Sequence, residues 1–341
     1  MMTIIMNENR KDIYRRNRLS KVVPLLTPYK INIDVANACN FKCNFCFHSI
    51  GAEELKKSGF NPGVMDFELF KIVIQQIKEF PEKIKCIGLA GIGEPLLNKR
   101  LPDMIQLTKE YDVADKIVVT TNGSVLKQKL SDSLVNAGLD EIIISIEALN
   151  DKKYYDITMA KVNFEELVDN INYFYKNRDK CKVFVKIMNI AFDEQNDERK
   201  FHEIFDSTTD MAYVERIIPQ FKPVNYDALN LDYERSLYDK ELLTIEVCSM
   251  IFYAMQIATN GNICPCCVDY NEAVVFGNVK SDHLYDIWNS RRFNKFRKIH
   301  LTKKRNNIEL CKNCDYLVYN ARDEDFLDDM SSDIIKKMDK G

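Results

Sequence analysis

The 341-residue sequence contains no apolar run long enough to cross a bilayer, since a transmembrane helix needs about 20 such residues. Its apolar N-terminal stretch, residues 1–6, is too short for the core of a signal peptide, and the basic residues follow it instead of preceding it. These absences predict a cytoplasmic protein that has no membrane span. In that reducing compartment, cysteines serve as metal ligands or core residues more often than as disulfides.

The sequence also lacks an excess of charge of either sign, because 51 Asp and Glu residues are interspersed with 48 Lys and Arg residues. Binding to phosphates needs a concentrated basic surface, so we expect no nucleic-acid partner and a small or mixed-charge substrate. Residues 1–28 form a basic leader, which we interpret as a solvated helix or as a contact for an acidic surface. Its basic residues are Lys11, Arg15, Arg16, Arg18 and Lys21.

What the sequence does contain is cysteine, 11 in all, and three of these residues have the spacing CxxxCxxC. Cys39, Cys43 and Cys46 follow a strand-like segment, residues 31–35, and offer three thiolates to a metal that accepts four ligands. The open position would let an external molecule bind the metal, unlike a closed structural site. The alternatives are a zinc loop completed by His48 and a chance cluster.

From residue 31 onward, short β-branched runs alternate with amphipathic segments, which predicts βα units and a parallel sheet. We therefore expect the α/β class, with a partial (β/α)6 TIM-like barrel over residues 29–220. The predicted strands are 31–35, 84–89, 116–120, 141–146, 183–190 and 213–217. The first predicted helix begins near Asp66 and ends before Pro81. The others are 102–111, 129–137, 164–177 and 194–207.

Four polar motifs each follow the C-terminal end of a predicted strand. They are the cysteine loop, Gly91-Ile92-Gly93-Glu94-Pro95, Thr121-Asn122-Gly123 and Ser145-Ile146-Glu147. In a barrel of parallel strands these ends share one rim, so the motifs are expected to form one site.

The cysteine loop, with Phe45 just before its last cysteine, and the three motifs that follow it resemble the radical S-adenosylmethionine (radical SAM) enzymes in order and spacing. The resemblance implies that Cys39, Cys43 and Cys46 ligate three irons of a 4Fe-4S cluster, whose fourth iron binds SAM. A reduced flavodoxin or ferredoxin would supply the electron that cleaves SAM. The resulting 5′-deoxyadenosyl radical would abstract hydrogen from a substrate carbon.

The same resemblance assigns roles around SAM. Gly91 and Gly93 would let the backbone approach the methionine ammonium, whose charge Glu94 would complement. Asn122 would bind the ribose, Ser145 and Lys186 the carboxylate, and Phe45 would cover the adenine or shield the cluster. For Lys186 the alternative is a lysine that ends an exposed strand. Asp34 is expected to orient the cysteine loop.

A second cysteine group lies in the C-terminal third, and from the residues alone it suits either zinc or an iron-sulfur cluster. Its members are Cys248, Cys264, Cys266, Cys267, Cys311 and Cys314. Cys248, Gly261 and Cys266, followed by Gly277-Asn278 and Ile287-Trp288-Asn289, resemble the SPASM and twitch appendages of radical SAM enzymes.

That second resemblance implies one auxiliary 4Fe-4S cluster, closed by Cys248, Cys266, Cys311 and Cys314, in a small domain over residues 221–320. Cys264 and Cys267 are then not needed for this ligand set. Three roles stay open for them: an alternative ligand, a hydrogen-atom donor to a substrate radical, or a small buried residue. Cys86 and Cys181 are expected in the core. Residues 321–341 form a charged tail, predicted as a surface helix or as disordered.

The sequence thus supports three functional hypotheses. The first is a radical SAM enzyme that dehydrogenates or epimerises a small polar substrate, namely a sugar, an aminocyclitol or a nucleotide-sugar. The second is a radical SAM enzyme that modifies a ribosomally made peptide. The third is a non-catalytic scaffold in which both cysteine groups hold zinc.

Overall fold

The computed structural model describes residues 17–229 and 233–340, so most of the predicted leader lies outside the described residues. The strands are β1 Lys30–Ile33, β2 Cys86–Gly88, β3 Ile117–Thr121, β4 Glu141–Ile146, β5 Lys182–Met188, β6 Met211–Glu215, β7 Ala254–Ile257, β8 Asn262–Cys264 and β9 Gly277–Asn278. The helices are α1 Leu19–Val22, α2 Ala52–Lys57, α3 Phe67–Ile77, α4 Leu101–Tyr111, α5 Gln128–Asn136, α6 Asp151–Thr158, α7 Phe164–Asn177, α8 Asp197–Phe205, α9 Met250–Tyr253, α10 Leu284–Asn289, α11 Arg291–Leu301, α12 Tyr316–Tyr319 and α13 Ser331–Lys340.

The first six strands are parallel and lie in chain order within one sheet, which confirms the predicted α/β partial barrel. The side chains between the strands and the surrounding helices form one continuous apolar core. None of the described helices is long and apolar enough to cross a membrane.

Local sequence explains where several helices begin. The Asp66 carboxylate accepts hydrogen bonds from the backbone N–H groups of Glu68 and Leu69, so α3 begins at Phe67 as predicted. The helix predicted over 194–207 is shorter, Asp197–Phe205, and the Asp197 carboxylate accepts hydrogen bonds from the N–H groups of Asp193 and Glu194, which lie before the helix. Helix α6 was not predicted; its N-cap is Asn150, whose side chain accepts from Lys153 N.

The cysteine-rich part continues the sheet, which the sequence analysis did not predict. β7 pairs in parallel with β1, with Lys30 opposite Ala254, and β8 and β9 follow as antiparallel strands. The sheet order is therefore β6-β5-β4-β3-β2-β1-β7-β8-β9. This pairing places the second cysteine group beside the first strand of the barrel. In the predicted tail, α13 buries Ile334 in the core.

Candidate active site

The described residues form a cavity of about 470 Å³ at the C-terminal ends of the barrel strands, called the first cavity below. Every residue that the sequence analysis assigned to the first cluster or to SAM lines it. These are Cys39, Cys43, Phe45, Cys46, Gly91, Gly93, Glu94, Asn122, Ser145 and Lys186. The structure therefore brings the four strand-end motifs together.

The cysteine loop is held by backbone hydrogen bonds from a distant element. Lys42 N donates to Thr158 O at 2.8 Å and Asn44 N donates to Ile157 O at 2.9 Å, so the end of α6 supports the loop. Tyr226, from the segment after the barrel, donates its hydroxyl to Phe45 O at 3.0 Å. The loop conformation thus depends on contacts that its own sequence does not reveal.

Both glycines of the Gly91-to-Pro95 turn lie too close to neighbouring atoms to carry a side chain. A Cβ at Gly91 would overlap the Asp34 carboxylate, and a Cβ at Gly93 would lie 2.5 Å from Ala38 O and 2.6 Å from Ala36 O. Glu94 N also donates to Ala38 O at 2.9 Å. The turn and the segment that leads into the cysteine loop are therefore packed backbone against backbone.

The Asp34 carboxylate contacts this turn and helps to orient it. Its carboxylate accepts a hydrogen bond from the β7 side chain of Gln256 at 2.7 Å and another from the backbone of Ile92. Burial raises the pKa of Asp34 to about 7. Asp34, which was expected to orient the cysteine loop, thus contacts the glycine turn and links it to the C-terminal part of the sheet.

Glu94 is 1 % exposed and connects two strand ends. Its carboxylate accepts from Thr121 Oγ1 at 2.6 Å, Asn122 N at 2.7 Å and Leu96 N at 2.8 Å. Burial raises the pKa of Glu94 to about 7, while these three donors act in the opposite direction. Beyond any contact with a ligand, Glu94 holds the turn after β2 against the turn after β3.

The Asn122 side chain is fixed as well. Its amide nitrogen donates to Asn40 Oδ1 at 2.9 Å, and its oxygen accepts from Ser124 N at 3.0 Å and Ser124 Oγ at 2.6 Å. The turn after β3 is thereby tied to the cysteine loop.

Charged side chains line the side of the first cavity formed by β4, β5 and β6. Lys186 lies opposite Ser145 in the sheet and donates to Glu215 Oε2 at 2.7 Å. Its side chain is 17 % exposed, so the alternative of a lysine on an exposed strand is wrong. Glu147 Oε2 is buried and has no hydrogen-bond partner among the described residues. Burial raises the pKa of Glu147 to about 7, opposed by the charge of Lys186.

Sequence reasoning quoted Glu147 in a motif without giving it a role, and it missed Glu215 and Arg216. Arg216 also lines the first cavity and forms an ion pair with Asp239 at 3.3 Å. Their signal was available in principle, because both lie at the C-terminal end of a predicted strand, residues 213–217, and the recognised motifs lie at the same end of the other strands.

The alternative zinc ligand, His48, is engaged elsewhere. Its Nε2 lies 2.8 Å from Ile92 O, which makes it the donor of a hydrogen bond to the glycine turn. Burial lowers its pKa. Burial raises the pKa of Cys39 to about 11 and that of Cys46 to about 12, so these thiols keep their protons at neutral pH until a metal displaces them.

In the C-terminal part, four of the six thiols surround a separate space, called the second cavity below. Its lining includes Cys248, Cys266, Cys311 and Cys314. Arg305 closes one side by donating to Cys311 O at 2.7 Å and Cys314 O at 3.2 Å. Tyr316 lines both the first and the second cavity, so its side chain contributes to the walls of both spaces.

The two remaining thiols of this group lie outside both linings. Cys264 is buried at the end of β8. Cys267 is half-buried and hydrogen-bonds Tyr316. Cys181 is buried, as expected for a core residue, whereas Cys86 is only half-buried at the start of β2.

The comparisons with known proteins agree with this geometry. The family model described as the radical SAM superfamily matches residues 33–206, more than half of the chain. The chain belongs to the radical SAM superfamily. A second model, described as an iron-sulfur cluster-binding domain and named SPASM, matches residues 248–315. As a radical SAM enzyme the protein uses SAM and 4Fe-4S clusters, and it is not a zinc scaffold.

Relatives of this radical SAM enzyme act on different substrates. It is 25 % identical over 285 residues to the S-adenosyl-L-methionine-dependent 2-deoxy-scyllo-inosamine dehydrogenase of Niallia circulans, covering 83 % of this chain and 91 % of that protein. The crystal structure of BtrN with AdoMet and 2-DOIA has a TM-score of 0.57 at 23 % identity, covering 87 % and 97 % of the two chains. Streptococcus suis SuiB bound to its precursor peptide SuiA has a TM-score of 0.61 at 16 % identity, covering 82 % and 69 %.

The thiols of this radical SAM enzyme surround spaces and do not converge on one point. Within residues 17–229 and 233–340, no set of three His, Cys, Asp or Glu side chains is arranged to hold a single metal ion. A loop of three thiols beside a cavity large enough for a nucleoside, and four thiols around a second cavity, suit clusters with an open and a closed coordination shell respectively.

Proposed function

We propose that this radical SAM enzyme dehydrogenates an alcohol carbon of a small polar substrate, namely a sugar, an aminocyclitol or a nucleotide-sugar. The observation that carries the proposal is a four-thiol cavity that shares the lining residue Tyr316 with the first cavity. Similarity along most of both chains to a 2-deoxy-scyllo-inosamine dehydrogenase supports it.

In this proposal, Cys39, Cys43 and Cys46 hold the cluster that binds SAM, and Cys248, Cys266, Cys311 and Cys314 hold one auxiliary cluster. When bound, the first cluster supplies the electron that turns SAM into methionine and the 5′-deoxyadenosyl radical. A flavodoxin or ferredoxin in a reduced cytoplasm delivers that electron. The first cluster belongs to the barrel domain, residues 29–220, and the auxiliary cluster to the C-terminal domain, residues 221–320. The two domains share one sheet.

The residues of the first cavity hold SAM in defined ways. Backbone groups of Gly91 and Gly93 line the cavity beside the buried carboxylate of Glu94, which suits an ammonium group. Ser145 and Lys186 face the cavity side by side and bind a carboxylate. Asn122 binds the ribose, and Phe45 covers the adenine.

The charged side of the cavity binds the substrate. Glu147, Glu215, Lys186 and Arg216 give it both signs of charge, which suits hydroxyl and ammonium groups better than an apolar ligand. A dehydrogenated alcohol loses a hydrogen atom from carbon, a proton from oxygen and one further electron. Glu147 Oε2, which is buried without a partner, accepts that proton, and the electron leaves toward the second cavity.

Epimerisation would need a hydrogen-atom donor beside the substrate. Neither Cys264 nor Cys267 lines the first cavity, so the geometry favours dehydrogenation. Cys267 remains the better candidate of the two, because it hydrogen-bonds Tyr316, which does line that cavity.

The second candidate function is modification of a peptide, and one observation favours it. A third cavity of about 740 Å³, lined by residues 219–227 and by Tyr270 and Asn313, adjoins the first one through Gln220 and Phe221. Such a space would accept several residues of an extended peptide. The structural likeness to SuiB shows only a shared fold.

The test begins with anaerobically reconstituted protein. We expect about eight irons per chain in the wild type and about four in the Cys39/Cys43/Cys46→Ala variant, with 5′-deoxyadenosine formed only by the wild type. Cys86→Ala is the matched thiol control and should keep all the iron.

Two substrate panels are then assayed. One contains sugars and aminocyclitols deuterated at the alcohol carbons, and the other contains short peptides. Deuterium in 5′-deoxyadenosine together with a ketone product from the first panel supports the proposal. Transfer from peptides alone would replace it by the second candidate.

A further inference from the structure

The imidazole of His300, on α11, is buried without a hydrogen-bond partner. The residue is 1 % exposed, and neither Nδ1 nor Nε2 has a partner in the described part of the chain. A buried polar group left unsatisfied costs about 1–3 kcal/mol, so such groups almost always have a partner in the functional protein. Something outside the polypeptide therefore completes this site.

The position of His300 shows what that partner is. Its ring lines the second cavity together with the thiols of Cys248, Cys266, Cys311 and Cys314. Apart from those thiols, Arg305 and Tyr316, the other lining side chains are apolar: Met250, Ile251, Pro265, Val268, Phe296, Leu310 and Leu317. An imidazole N–H that faces this space meets sulfur in preference to oxygen.

We infer that His300 donates its ring N–H to a sulfur of the auxiliary cluster and thereby positions the cluster and sets its reduction potential. The inference rests on the proposed four-thiol ligand set. A hydrogen bond to a cluster sulfide or ligand thiolate stabilises the more negative, reduced form and raises the potential. Phe296, whose ring centre lies 5.2 Å from that of His300, supports the imidazole in this orientation.

His300 is thus a positioning residue for the second half-reaction. A dehydrogenation releases one electron beyond the abstracted hydrogen atom, and a cluster held by the four thiols would accept it more readily at a higher potential. Arg305 acts in the same direction from the other side of the cavity, through its positive charge beside the carbonyls of Cys311 and Cys314.

The test uses the full-length Cys39/Cys43/Cys46→Ala variant, which retains only the auxiliary cluster, in a redox titration followed by electron paramagnetic resonance. We expect His300→Phe to keep about four irons. At a fixed ambient potential its reduced-to-oxidised ratio should fall about threefold to tenfold, tenfold being 59 mV for one electron. His300→Gln, which restores an N–H donor, should recover most of that loss. His283→Phe, which alters an exposed histidine beside Glu79, is the control and should change nothing.

A second measurement needs no substitution at His300. The sequence has only 4 histidines: His202 and His283 are exposed and His48 belongs to the first cavity. With 15N-labelled histidine, a weak hyperfine coupling to the reduced auxiliary cluster is expected from His300.

A strong coupling, or loss of iron in His300→Phe, would make His300 a ligand and overturn the inference. No coupling, or an unchanged potential with unchanged iron, would overturn it too. Iron that survives Cys311→Ala/Cys314→Ala in the same background would instead refute the ligand set on which the inference depends.

Discussion

Gly93→Ala tests whether the cysteine loop depends on close backbone packing against the glycine turn. The added Cβ would lie 2.5 Å from Ala38 O and 2.6 Å from Ala36 O. Unbonded carbon and oxygen atoms rest at about 3.3–3.6 Å, so the two backbone segments must separate by about 1 Å. Both contacts are with main-chain atoms, which cannot rotate away as the end of a side chain does.

The cost follows from this geometry. Overpacking of one methyl group typically costs about 1–3 kcal/mol, and here it falls on the segment that leads into Cys39. If the whole fold absorbs the strain, the free energy of unfolding of Gly93→Ala decreases by that amount. If the turn yields locally, the same free energy appears as a loss of SAM affinity of about fivefold to 150-fold.

Gly63→Ala is the matched control. Gly63 O accepts from Asn37 N at 3.1 Å, so this glycine contacts the same segment, but nothing lies within 4 Å of its Cβ position. Thermal denaturation of the iron-free proteins and SAM binding to the reconstituted proteins give the two readouts. The packing argument fails if Gly93→Ala matches the wild type in both, or if Gly63→Ala is impaired to the same extent.

Three further perturbations test other parts of the site. Glu94→Gln turns one acceptor oxygen into a donor that faces an N–H or O–H group, so the variant should lose about 1–3 kcal/mol in denaturant unfolding. Burial holds the pKa of Asp34 at about 7, so the folded state keeps a proton that the unfolded state has released near pH 4. Stability should therefore fall as the pH rises from about 4 to 7, by at most about 4 kcal/mol from this group, and Asp34→Asn should remove that part of the dependence of Tm on pH. Lys186→Met removes the ion pair between Lys186 and Glu215 and the proposed carboxylate contact. Its Kd for SAM should rise about tenfold while its iron content stays unchanged.

Much of the fold and of the first site follows from local sequence. Short β-branched runs predict the strands, the Asp66 cap predicts the start of α3, and parallel strands carry their C-terminal ends to one rim. β4 begins and ends at the predicted residues, and α7 spans residues 164–177 as predicted. These features need only information contained within about ten neighbouring residues.

The remainder depends on contacts between distant parts of the chain. β7 pairs with β1, and Gln256 reaches Asp34 across 222 positions in the sequence. The support that α6 gives to the cysteine loop is of the same kind. A short strand among cysteines has no periodicity to distinguish it from a loop, so only its pairing with β1 defines it.

An aromatic cluster connects the first cysteine group to the segment after the barrel and to Tyr270 of the C-terminal part. The ring of Phe47, beside the first cysteine group, stacks on Tyr270 at 4.4 Å and packs edge-on against Phe221 at 5.0 Å. Tyr226 accepts from Phe221 N and donates to Phe45 O, which joins the segment after the barrel to the cysteine loop. A substrate between the two cavities must present one carbon to the first centre and an electron to the second, and small displacements at either end reduce the rate steeply. Because none of these rings is a proposed ligand, enlarging or shrinking one of them is expected to change the distance between the two sets of thiols without removing a ligand.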